Sequence, residues 1–113
     1  MRDEALLLDM LIAARRAITF TEKMTAESFR SDLLVQNAVV RVLQVIGEAA
    51  RMVSADFKAQ HPEIPWAQIV GLRHRLVHDY LNIDFVIVWD VVQQDLGPLV
   101  RQLEPLVPRE DQL

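Results

Sequence analysis

Apolar residues recur at three- and four-residue intervals along nearly the whole chain, and only three glycines and few alternating β-branched stretches interrupt them. That spacing belongs to amphipathic helices and predicts an all-α fold. From about Asp3 to Thr21 the stripe is Leu7, Leu11, Ala14 and Ile18, with Met10 and Ala17 beside it. The acidic first turn suits the positive end of the helix dipole. Thr25 or Ser31 then offers an N-cap, and a short turn spans residues 26–30. The longest helix is expected from Asp32 to about Val53, with a continuation past Ser54 to Gln60 left open.

On this second long helix, with about 100° per residue, Asn37, Arg41, Gln44, Glu48 and Arg51 share one narrow stripe. Nearly every other position is apolar. Residues such as Leu33, Leu34, Val39, Val40, Leu43, Ile46 and Met52 therefore need partners on two sides, one inside the domain and one in a second protomer. The expectation is a homodimer.

His61-Pro62-Glu63-Ile64-Pro65 breaks the pattern, because each proline removes a donor and disfavours helix in the residue before it. Pro65 suits a first helical position, and the third helix is expected from there to His78 or Asp79. Asn82 and Asp84 supply turn and N-cap chemistry for a fourth helix, whose face Phe85, Val88, Trp89, Val92, Leu96, Leu99 and Leu103 runs to about Glu104. Gly97-Pro98 should bend this helix without ending it, since the stripe resumes in phase. The whole reads as one domain over 1–113, an antiparallel four-helix up-and-down bundle with a short extra helical turn and a frayed tail over 106–113.

Composition narrows the chemistry. A chain of 113 residues buries roughly two-thirds of its unfolded surface and needs no staple. It has no cysteine, so disulfides, thiolate metal sites and cysteine nucleophiles are excluded. Polar residues interrupt every apolar run before it could span a bilayer, and the acidic start at Asp3 and Glu4 is wrong for a signal peptide. Both point to the cytoplasm, without a membrane partner. The formal net charge of -4 removes the usual broad basic footprint of a nucleic-acid binder. Any contact with nucleic acid must be local.

One basic island exists. Between Trp66 and Tyr80 the only acid is Asp79, against Arg73, Arg75, His74 and His78. On a continuous third helix, Trp66, Ile69, Val70, Arg73, Leu76, Val77 and Tyr80 form the core-facing series, so Arg73 would occupy an apolar slot. A guanidinium there needs a partner such as Glu48 or a cleft, because an unpaired buried charge costs several kcal/mol. His78 would lie about 140° around the axis from Arg73 in an unbroken helix, within reach of the long arginine arm or, across a dimer axis, of the second copy. His74 and His78 at i, i+4 have a metal-binding spacing but lack a third ligand, which argues for no metal. Taken singly, His78 suits a helix C-terminus and Tyr80 a core aromatic with its hydroxyl at the surface, and the two tryptophans suit packing.

The spacing Arg73, four residues, His78, one residue, Tyr80 resembles the R-x4-H-x-Y motif of HepT-like toxins in the HEPN superfamily of small helical proteins. Ile46-Gly47-Glu48-Ala49, the segment from His61 to Trp66, and Trp89 with Asp95-Leu96 extend the similarity over nearly the whole chain. The position after the arginine, often Asn in that motif, is His74 here. The resemblance implies the toxin of a type VII-like toxin–antitoxin pair: a homodimeric endoribonuclease that uses no metal or other cofactor, with its cleft near the dimer axis. It implies that Arg73 holds the scissile phosphate and His78 does acid/base work, with His74 and Glu48 as supporting candidates. Its partner would be a minimal nucleotidyltransferase antitoxin that attaches AMP to Tyr80. The alternative is a non-catalytic helical dimer that binds such an enzyme and serves as its substrate or targeting subunit.

Overall fold

The computed structural model describes residues 2–79 and 82–107, and for 77–79 the backbone alone. The chain is helical almost throughout: α1 (Arg2–Thr21), α2 (Ala26–Arg30), α3 (Leu33–Met52), α4 (Ala55–Gln60), α5 (Trp66–Val70), α6 (Leu72–Leu76), α7 (Phe85–Asp90) and α8 (Leu96–Leu103). A π-helical turn, Val91–Asp95, joins α7 to α8, and a 3-10 turn, Glu104–Leu106, follows α8. Two short antiparallel strands, β1 (Val77–Asp79) and β2 (Asn82–Ile83), add a small ladder that helical periodicity does not anticipate.

α3 is the central element, packed against α1 and also against α5, α6 and α7, while α1 also meets α8. Leu7, Met10, Ala14 and Ala17 of α1 face Val39, Leu43, Ile46 and Ala50 of α3 in one core that Leu76, Val88, Leu96 and Leu103 complete. Cap chemistry sets the ends. The Thr25 hydroxyl accepts from Ser28 N–H at 3.1 Å while Ser28 Oγ accepts from Thr25 N–H at 2.9 Å, a reciprocal box on α2. Asp32, not Ser31, caps α3 by accepting from Val35 N–H at 3.0 Å. The continuation of α3 to Gln60 does not form, because Val53 turns extended and Ser54 starts α4 as its N-cap. Asp3 on α1 ties down that corner, accepting from Ser54 N–H at 3.0 Å and from its hydroxyl at 2.7 Å.

α3 is also the one helix among the described residues long and apolar enough to cross a membrane, and half of its apolar window is buried in the fold. Its leftover apolar surface is specific: Leu33 is 69% exposed, Leu34 82% and Met52 38%. At the C-terminal end, Leu106 and Val107 pack against the core, so the fraying expected from residue 106 does not begin there; residues 108–113 lie outside the described residues.

The expected third helix is two short helices and a strand. At Gly71 the dihedrals leave the helical region (φ -82°, ψ 2°), in keeping with glycine's poor helix propensity. Helix ends altogether at Leu76. In the fourth helix the distortion lies before Gly97-Pro98: Leu96 N–H donates to Val91 C=O, five residues back. Pro98 has no N–H and its ring crowds the carbonyl four residues earlier, so a wider turn N-terminal to it relieves the helix.

Candidate active site

The motif segment begins on α6, which is anchored by two leucines. Leu72 is 5% exposed and Leu76 fully buried, whereas Arg73, His74 and Arg75 between them are all exposed. The buried series is thus Ile69, Leu72 and Leu76, one position away from the series that would bury Arg73. Arg73 does not occupy an apolar slot, and Val70, at 36%, is exposed with it. Nor does the alternative, an ion pair to Glu48, form. Glu48 is engaged by Arg51, Nη2 to Oε1 at 2.6 Å, and the hydrogen bond and charge of that guanidinium hold the Glu48 carboxyl below its usual range. Arg73 has no hydrogen bond or ion pair among the described residues, so its guanidinium faces solvent unengaged.

α3 positions this segment through a close approach. A Cβ built on Gly47 would sit 3.1 Å from the Ile69 carbonyl oxygen, so a side chain here, one residue before Glu48, would press α5 back by a few tenths of an ångström. After α6 the backbone is strapped at its neck: Asp84 N–H donates to Leu76 C=O at 2.8 Å, while the Asp84 carboxylate caps α7 by accepting from Ile87 N–H at 3.2 Å. Within the loop so closed, Val77 pairs with Ile83 and Asp79 with Asn82. His78 is the extra residue between these pairs, a bulge of the kind that bends a strand locally. Because α6 ends at Leu76, the helical geometry assumed for Arg73 with His78, and for His74 with His78, does not apply. The His78 side chain and Tyr80 lie outside the described residues.

On the other flank of α6, a groove of about 250 Å³ runs between α5–α6 and the π-turn with α8. Arg75 borders it and Arg73 does not. Sequence periodicity gives no sign of this groove, because it joins segments far apart in the chain. Among the described residues no three His, Cys, Asp or Glu side chains are placed to hold a metal ion.

Comparison with known proteins places the chain in a family. A family model described as "Ribonuclease HepT-like" matches residues 10–106. The "Putative RNase MJ1380" of Methanocaldococcus jannaschii is 36% identical over 101 residues, 89% of this chain and 93% of that protein. The "Probable ribonuclease HepT" of Thermococcus cleftensis is 39% identical over 87 residues, 77% of this chain and 79% of that protein. No solved structure matches. With nearly the whole chain covered by the family model, the protein belongs to the HepT-like ribonuclease family.

Proposed function

We propose that this protein is a metal-independent endoribonuclease, the toxin of a two-gene pair, acting in the cytoplasm as a homodimer of antiparallel four-helix bundles. The observation that carries the reading is Arg73: exposed, free of any acid among the described residues, and placed on α6 directly ahead of the bulged strand that contains His78. An arginine with no partner of its own is available to a phosphate, and a planar guanidinium matches two phosphate oxygens at once. In the proposed step the ribose 2′-oxygen bonds to phosphorus as its proton passes to a general base. The bond from phosphorus to the 5′-oxygen breaks, and that oxygen receives a proton. His78 serves in this proton traffic, alone or with the second copy's His78, because an imidazole can both accept and give a proton, a role worth roughly 10² to 10⁴ in rate. Arg73 balances the charge that grows on the phosphoryl oxygens. His74, exposed beside Arg73, is a supporting residue with no assigned proton-transfer role. Glu48 is committed to Arg51 and takes no part in the proton traffic.

The exposed Leu33, Leu34 and Met52 of α3 and Val70 of α5 support a second copy covering that side. Neutralisation follows by transfer of AMP from ATP to the Tyr80 oxygen with loss of pyrophosphate, which places a nucleotide phosphate within the motif itself. A second reading, a non-catalytic dimer that is only a partner or substrate of the nucleotidyltransferase, is favoured by the net charge of -4, since an RNA-cutting enzyme gains from a positive field. Purified protein incubated with RNA in EDTA separates the two: the enzyme cuts at an undiminished rate and His78→Ala falls at least about 10²-fold. Activity lost to EDTA, or an active His78→Ala protein, refutes the mechanism.

A further inference from the structure

The groove beside Arg75 has the composition of a receptor for one flat, hydrogen-bonding ring system. Its floor is apolar, made by Ile69, Leu72, Leu96 and Leu99. Its rim carries the amides of Gln68, Gln94 and Gln102, the carboxylates of Asp95 and of Glu63, the latter held by His61 Nδ1 at 3.2 Å, and the Arg75 guanidinium. At about 250 Å³ it falls below the roughly 300–1,000 Å³ typical of sites for larger ligands, so it suits one or two fused rings and not a folded segment. The polar rim is poised. Gln102 Nε2 donates to Glu63 C=O at 3.0 Å, which fixes that amide, while Asp95 and Arg75 make no hydrogen bond or ion pair among the described residues. The π-turn that carries Gln94 and Asp95 widens the helix at the groove, a distortion often found where a helix serves a site.

The charge pattern identifies the ring. A bare phosphate is a poor match to a groove lined by two carboxylates and a single cation. Guanine alone among the RNA bases offers two adjacent N–H donors, at N1 and N2, for a carboxylate, and two adjacent acceptors, O6 and N7, for an arginine. Single-stranded RNA presents such unstacked bases to proteins. We propose that this groove is a guanine subsite, with Asp95 accepting from N1–H and N2–H, Arg75 donating to the O6/N7 edge, and the ring resting on the leucine floor. The inference rests on RNA being the substrate. Arg73, His74 and Arg75 are exposed on one short helix, so a strand crossing α6 would have a phosphate at Arg73 while a neighbouring base enters the groove.

The test uses neutral nucleosides, which need no catalysis and no phosphate contact. In ¹⁵N-labelled protein, guanosine is expected to shift the side-chain amide resonances of Gln68, Gln94 and Gln102 and to bind at least about tenfold more tightly than inosine, which lacks the N2 amine, or than adenosine, cytidine or uridine. Asp95→Asn is expected to remove that preference while the rest of the spectrum stays unchanged. Equal binding of all nucleosides, shifts located away from the groove, occupation by inorganic phosphate in place of guanosine, or an unaltered preference in Asp95→Asn would overturn the assignment. A parallel cleavage assay with guanosine or inosine beside the scissile bond keeps the two ideas apart. Cleavage with no guanosine binding removes the subsite and leaves the ribonuclease; guanosine binding without cleavage does the reverse.

Discussion

α3 is a single unbroken helix, whereas the stretch from α5 to α8 changes backbone type at Gly71, at Leu76 and again at Val91. α3 is surrounded by α1, α5, α6 and α7, and no part of its backbone is asked to do anything but hold that core. The broken stretch carries both the motif segment and the groove. Breaks that lower local helical order also expose Arg73, His74 and Arg75 together and open the space between α6 and α8. The difference teaches that regular helix marks where burial is the only demand, while interruption marks where the chain presents groups outward.

The comparison can be broken by stability measurements. Leu43, fully buried on α3, should cost about 2–5 kcal/mol on truncation to Ala in denaturant unfolding, whereas Val86→Ala, at a site 59% exposed on α7, should stay within about 0.5 kcal/mol. Comparable losses at the two positions would mean that α3 is not buried as described. A smaller effect sharpens the link between the regular and the broken regions. Gly47→Val forces a branched side chain against the Ile69 carbonyl and should destabilise by about 1–3 kcal/mol, although valine is the better helix former. A stabilised Gly47→Val protein would show that α5 does not approach α3 so closely.

The smallest effect concerns the α1–α4 corner. The Ser54 hydroxyl and N–H lower the Asp3 pKa below its ordinary value, so the folded state holds the charged form more firmly than the unfolded chain does. This contribution is present above the ordinary aspartate value and is lost as pH falls through the folded-state value. The thermal midpoint of Asp3→Asn should therefore lie below wild type near neutral pH and converge with it in acid. A gap that widens in acid has the wrong sign for this account.

Much of the regular part is legible in the sequence. α1 and α3 begin and end within a residue or so of their expected limits, because each has an acidic or Asp-capped start and a continuous apolar stripe. Thr25 and Asp84 act as the caps their residue types suggest. The broken part is less legible, for local and for distant reasons. Leu72, not Arg73, joins Ile69 and Leu76 in the core, at i+3 where the expected series took i+4, a choice that helical spacing alone leaves open. The end of α6 depends on pairing with Asn82 and Ile83 and on the Asp84 N–H, contacts that no periodicity within residues 66–79 encodes. The claim that Arg73 is a charge in an oily slot therefore fails, and its candidacy rests on the motif, the family and its unengaged, exposed guanidinium. The groove was invisible in the sequence, since Gln68 and Gln94 meet only through the fold.

The most direct measurement is the cleavage rate of Arg73→Ala on RNA in the presence of chelator, alongside its denaturation midpoint. An exposed side chain without partners leaves stability within about 0.5 kcal/mol of wild type, and loss of a phosphate-binding guanidinium should lower cleavage at least about 10²-fold. An Arg73→Ala protein that cuts RNA at the wild-type rate would contradict the account.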